Sequence, residues 1–221
     1  MAANSDAKNN LVARIEADLL AGHFRPGEWL KQADIENQYN ANRFDIRMAL
    51  MDLKARQLID HVPNKGFRVT QLTVEEREEL MQTRMILETA AARLAAARIT
   101  DDQIEALEGI AEEFERNIPV ADVEHLREIN ARFHNVIYQA SGNDILVDEI
   151  KALRFRGIPG MRGERLAWRT IAGIRKSHED HIEMLELLRA RDGEALSHVV
   201  EGHLSNWRNH VPGAQAETAA D

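Results

Sequence analysis

Three histidines occupy positions where a helical protein places leucine. His134, His181 and His203 each fall within the apolar stripe of a different amphipathic stretch, and Asn130 lies one turn before His134. An imidazole directed into a core costs free energy unless a hydrogen bond, a metal ion or a bound ligand satisfies its nitrogens. Leu126, Ile129, Phe133 and Ile137 recur at helical spacing and put Asn130 and His134 on their face, at i and i+4. His178, His181, Ile182, Leu185 and Leu188 form a second stripe, and Leu196, Val199, Val200, His203 and Trp207 a third. Imidazoles from three helices can converge on one point inside a bundle. Such a set suits zinc or nickel, with the Asn130 amide oxygen as a weaker fourth ligand and positions left for water or a carboxylate. The same rings could instead hydrogen-bond an anion directly, with no ion between.

A second set is basic. Arg43 and Arg47 stand one turn apart, just after Asn42, on a stretch whose Ile46, Leu50 and Leu53 share the opposite face. The planar arginine fork can bind guanine O6 and N7 together, which makes arginine at a helix start a reader of base edges. Lys65 and Arg68 flank the turn Pro63-Asn64-Lys65-Gly66, within reach of phosphate or the minor groove, and Gly66 lets the backbone turn sharply beside a duplex.

The elements that must position both sets are nearly all helical. Apolar spacing predicts helices at 8–22, stopped by Gly22, then at 32–39 and 43–56. Two β-like segments follow, Leu58–Val62 and Phe67–Val69, joined as a hairpin. Three helices and a two-stranded ribbon are the order of a winged helix-turn-helix. Thr73 then caps a run of helices at about 74–97, 101–115, 121–140 and 143–155, one starting near 163 and running through 190, and 192–209. Gly157–Gly163 reads as a loop. The expected fold is therefore mainly α: a winged helix-turn-helix over 1–72, an all-α bundle of about six helices over 73–211, and a disordered tail over 212–221.

Charge and composition agree with that division. Net charge is −9 with 44% apolar residues and no cysteine, which excludes disulfides and thiolate chemistry. Residues 1–70 carry ten Lys/Arg against nine Asp/Glu, whereas the remainder carries 18 against 28. A near-neutral, locally basic head on an acidic body suits a protein whose small part alone approaches phosphates. No stretch is apolar enough for a membrane span or secretion signal, so a cytoplasmic protein is expected.

The chain resembles the GntR family of bacterial transcription regulators, in the FadR-type branch with an FCD C-terminal domain, over about residues 8–210. Gly22-His-Phe-Arg-Pro-Gly-Glu-Trp-Leu30 is similar to the family's G-x-x-x-PGE-x-L. Asn42-Arg-Phe-Asp-Ile-Arg-Met-Ala-Leu50 is similar to its SR-x-P-V-R-E-A-L, and Pro63–Val69 to its wing. Asn42, Asp45, Met48 and Gln57 depart from the pattern. Asn130-Ala-Arg-Phe-His134 resembles D-x-x-F-H, Glu179-Asp-His181 resembles E-E-H, and Asp192 with His203-Leu204 resembles D…H-L. In metal-binding members these Asp and His positions are the ligands, so the resemblance implies a centre in which Asn130 replaces a carboxylate. Arg84, in Arg84-Met-Ile-Leu-Glu88, matches R-x-x-L-E. The resemblance implies an inward arginine that reaches an effector carboxylate; a surface salt bridge to Glu88 is the competing reading. His178, Tyr138 and Asn143 are further candidates for the effector pocket.

The expected function is a DNA-binding regulator, a repressor whose hold on double-stranded operator DNA is controlled by a small carboxylate effector. A homodimer follows from the need to read two half-sites, and the helix count points to the VanR-like subgroup. Two other classes remain: a metal-dependent hydrolase using the three histidines, or a winged helix that binds protein. Against the hydrolase, Glu179 and Asp180 precede His181 by one or two residues and are expected off its face.

Overall fold

The computed structural model describes residues 2–120, 123–157 and 170–205. Of the loop expected at Gly157–Gly163, Gly157 is the last residue of a helix; the rest of it, the helix start near 163, Trp207 and the tail lie outside these residues. The chain divides into two compact units. One runs to Arg77 and includes the segment from Ala152; the other holds Glu78–Lys151 and the chain from Arg162.

The first unit contains α1 (Ala2–Ala21), β1 (Trp29–Leu30), α2 (Gln32–Tyr39), α3 (Arg43–Ala55), β2 (Ile59–Val62) and β3 (Gly66–Val69). Helix α1 begins six residues before the expected start, because Ala2–Ala7 offer no apolar periodicity to mark it. It ends as expected at Gly22, whose φ of 79° is costly for any residue with a Cβ. The His23 amide donates to the Asp18 carbonyl and the Gly22 amide to Leu19, which satisfies the terminal carbonyls. Leu11, Val12, Ile15 and Leu19 pack with Ile46, Leu50 and Leu53 of α3 into an apolar core.

Strand β3 lies between β1 and β2, antiparallel to both. The hairpin was expected and β1 was not, since two residues are too few to show alternation. Trp29 pairs with Arg68 and Leu30 with Phe67. Strand β2 closes on β3 from Ile59 opposite Val69 to Val62 opposite Gly66.

The second unit is helical: α4 (Val74–Arg98), α5 (Asp101–Asn117), α6 (Val123–Ala140), α7 (Asp144–Gly157), α8 (Ile171–Ala190) and α9 (Gly193–Ser205). The first turn of α4 and the end of α7 belong to the first unit, where Phe155 packs on the core. Thr73, Thr100 and Thr170 cap their helices, Thr73 and Thr100 in reciprocal boxes with Glu76 and Gln103. Helix α5 packs on α6 and α8, and α8 on α9. Alanines 91, 92, 95 and 96 line the buried face of α4, and Ala91 meets Tyr138, Val147 and Ile150. No described helix is long and apolar enough to cross a membrane.

Candidate metal centre and nucleic-acid interface

Helix α6 buries Leu126, Ile129, Phe133, His134, Ile137 and Tyr138 along one stripe. Helix α8 buries Ile174, Ser177, Asp180, His181, Met184, Leu185 and Leu188. The inward face of α8 is thus rotated from the expected one: Ile182 is 38% exposed, while Asp180 and Met184 point in. Helix α9 adds Leu196, Ser197, Val200 and Leu204, with His203 half-buried beside them.

The three histidines meet. One nitrogen of each lies within 4.8 Å of the others, and their ring centres are 5.1 to 5.4 Å apart. Two metal–nitrogen bonds of about 2.1 Å span at most about 4.2 Å, so the three rings would have to turn slightly inward to hold one ion together. Aromatic walls hold the rings. Phe133 stacks on His181 at 4.4 Å, Phe114 meets that ring edge-on at 5.4 Å, and Tyr138 stacks on His134 at 6.0 Å.

Asp180, expected off the His181 face, is nevertheless buried. Its carboxylate is 4% exposed and turns toward α9, where the His203 Nδ1–H donates to Oδ2 at 2.9 Å. Lys176 reaches the other oxygen at 2.8 Å. Burial pushes the Asp180 carboxyl up, but hydrogen bonds from His203 and Lys176 outweigh it and hold the group below its ordinary value. The Asp180 hydrogen bond in turn raises the Lys176 ammonium. Glu179, by contrast, is exposed, as expected of a residue off the His181 face.

Three buried polar atoms around the triad have no hydrogen-bond partner among the described residues: Asn130 Oδ1, Ser177 Oγ and His178 Nδ1. Asn130 and Ser177 each precede a ligand-type histidine by one turn. His178 stacks on Phe114 at 5.8 Å, and burial, only partly offset by Glu115 at 4.0 Å, lowers its pKa and favours the neutral ring. Imidazole nitrogens and a buried amide oxygen without a partner are the donor set of a borderline divalent ion, so these residues fit one.

Arg84 is buried, which removes the expectation of a surface salt bridge. Its Nε donates to Glu88 Oε1 at 2.8 Å inside the core. Tyr138 donates its hydroxyl to the other Glu88 oxygen at 2.5 Å. The inward arginine is therefore answered by its own carboxylate, and this pair anchors the tyrosine stacked on His134. Asn143 lies elsewhere in kind: it is exposed, and its Oδ1 accepts the Leu146 amide at the start of α7.

On the first unit, Arg43 and Arg47 are exposed on the first turns of α3. Asn42 holds that helix start: Oδ1 accepts the Asp45 amide at 2.9 Å and Nδ2 donates to the Asp45 carboxylate at 2.7 Å. Its side chain is thus occupied as a cap, with Asp45 as the reciprocal partner. Lys65 is exposed at the hairpin tip, and Gly66 has a φ of 98°. Arg68 leans back across the sheet to Asp60, 3.5 Å away. The sequence reading passed over Phe44, which stands 72% exposed between the two arginines, with Met48 and Met51 below it at helical spacing. An exposed apolar stripe beside arginines has the chemistry that meets thymine methyl groups in a major groove. Its exposure conflicts with its hydrophobicity, and that was the available signal.

Residues 79–206 match the FCD domain family, and residues 7–69 match the bacterial regulatory proteins of the gntR family. The Nta operon transcriptional regulator of Aminobacter aminovorans is 29% identical over 189 residues, covering 86% of this chain and 87% of the relative. The transcriptional repressor RspR of Escherichia coli is 23% identical over 204 residues, covering 92% and 88%. The solved structure of E. coli McbR/YncC shares the fold, with a TM-score of 0.76 at 23% identity over 90% of this chain and 93% of that one. With one match spanning more than half the chain and the other completing its N-terminal part, the chain belongs to the FCD-domain branch of the bacterial gntR regulators, DNA-binding transcription regulators and not enzymes.

Proposed function

We propose that this regulator is a homodimeric, cytoplasmic repressor that leaves its operator when a small carboxylate binds the helical unit. In this reading a divalent ion, zinc or nickel, forms part of the sensor, held by His134, His181 and His203 with Asn130 beside them. The observation that carries it is the meeting of three imidazoles from three helices in a largely buried cluster. Six helices among the described residues support the shorter, VanR-like variety of the domain. The name of the RspR relative supports repression.

When bound, the ion supplies a fixed positive charge that draws in an anion. The chain's own residues shape the rest. Asn130 is neutral where a carboxylate would cancel one charge, so the centre keeps more attraction for an anionic effector. Ser177 and His178 supply polar atoms for its remaining oxygens. A carboxylate that reached Arg84 would have to compete with Glu88. Effector binding then biases the spacing of the two winged units of a dimer, which must match two half-sites.

Selection of duplexes from a random pool, followed by fluorescence anisotropy, tests the DNA reading. We expect a preferred, partly palindromic site, affinity falling steeply with salt, and a loss of about 5- to 150-fold in Arg43→Ala. Absence of any sequence preference across metal and effector conditions would contradict it and favour a winged helix that binds protein.

A further inference from the structure

We infer that Asp180 is a positioning residue of the metal centre: its carboxylate fixes the His203 ring so that Nε2 is the ligand nitrogen. This rests on the metal reading above and adds a residue outside the ligand set.

The geometry is specific. Successive residues on a helix point about 100° apart, so Asp180 and His181 leave α8 in different directions. His181 joins His134 of α6, and Asp180 meets His203 of α9. One dipeptide therefore supplies a ligand and the clamp for the next ligand. The Nδ1–H of His203 is committed to Oδ2 at 2.9 Å, which leaves the lone pair on Nε2. A neutral imidazole has two tautomers, and the partner of one nitrogen decides which nitrogen is free to bind.

The energetics point the same way. A carboxylate this deeply buried must have its oxygens satisfied. Both of its oxygens are engaged, one by a histidine of the triad and one by Lys176, whose ammonium end is the exposed partner. A mere tie between α8 and α9 would not require the tied group to be one of three converging imidazoles. His203 is also the least buried of the three and the one that most needs fixing.

The test uses the full-length protein, zinc titration by competition with a chromophoric chelator, and the visible spectrum of the cobalt-loaded form. We expect Asp180→Ala to lower zinc affinity about 10- to 100-fold and to change the cobalt spectrum. Asp180→Asn should fall between, since it keeps an acceptor and loses the charge. Lys176→Ala should leave affinity within about threefold. Nitrogen-15 NMR of the metal-free wild type should show His203 protonated at Nδ1, a readout that needs no variant to fold. Zinc affinity unchanged in Asp180→Ala, with His203→Ala losing it, would overturn the role while sparing the metal centre. Protonation of wild-type His203 at Nε2 would overturn it as well. Failure of the wild type to take up zinc, cobalt or nickel would overturn both.

Discussion

The proposed functional groups stand outside the core in one unit and within the core in the other. Among the described residues of the winged-helix unit the interior is apolar apart from Tyr39 and Thr70, and Arg43, Arg47 and Lys65 stand in solvent. In the helical unit Arg84, Glu88, His134, Asp180 and His181 are themselves core residues. The first unit can change what it reads without touching what folds it. The second offers no such freedom at His134 and His181, the buried members of the proposed sensor, because both are also packing residues. Function and stability are separable in one half and coupled in the other.

The sharpest way to break this comparison is Glu88→Ala. Removing one partner of a buried pair strands Arg84 in the core and should cost about 3–5 kcal/mol in chemical denaturation. A cost below about 1 kcal/mol would mean the pair behaves as a surface one. Next come Arg43→Ala and Arg47→Ala, each expected to weaken binding to a selected duplex by about 1–3 kcal/mol while leaving unfolding free energy within about 0.5 kcal/mol. If either arginine variant melts early, the exterior site is not separable after all.

A smaller effect sharpens the scaffold side. Gln57 follows α3 with a φ of 60°, and its amide donates to Lys54 while that of Leu58 donates to Leu53. This is a helix stop that favours glycine, so Gln57→Gly should stabilise the protein by about 0.5–1 kcal/mol with no change in DNA affinity. The smallest concerns the exposed Arg132, which donates twice to Glu113 at 2.9 Å across α5 and α6. Its hydrogen bonds hold the Glu113 carboxyl below the ordinary value. A depressed carboxyl stabilises above its unfolded pKa and loses that contribution as pH falls through the folded one. Arg132→Ala should therefore cost under about 1 kcal/mol at neutral pH, and the difference should vanish in acid.

How much of this was legible in sequence follows the same division. The helices of the first unit declare themselves through Leu11, Ile15 and Leu19 or Ile46, Leu50 and Leu53, because an apolar core leaves a clean period. Strand β1 does not, since Trp29 and Leu30 are held by pairing to Arg68 and Phe67, almost forty residues on. In the helical unit the three histidines were visible as polar interruptions of apolar stripes. Asp180 was hidden because its burial depends on His203, 23 residues away. The Arg84–Glu88 spacing looks like any surface pair at i and i+4. Tyr138, fifty residues along, makes it a buried one. Local spacing reveals groups that face an apolar core; it does not reveal polar groups whose partners come from distant helices.

We propose that the core of the helical unit holds a metal ion on three imidazoles. Elemental analysis of purified wild type beside His134→Ala tests it most directly, with circular dichroism to show that both are folded. We expect about one divalent ion per chain in the wild type, as for a single three-histidine centre, and little or none in the folded variant. Equal metal content in the two proteins, or none in either after zinc and nickel are supplied, would contradict the account.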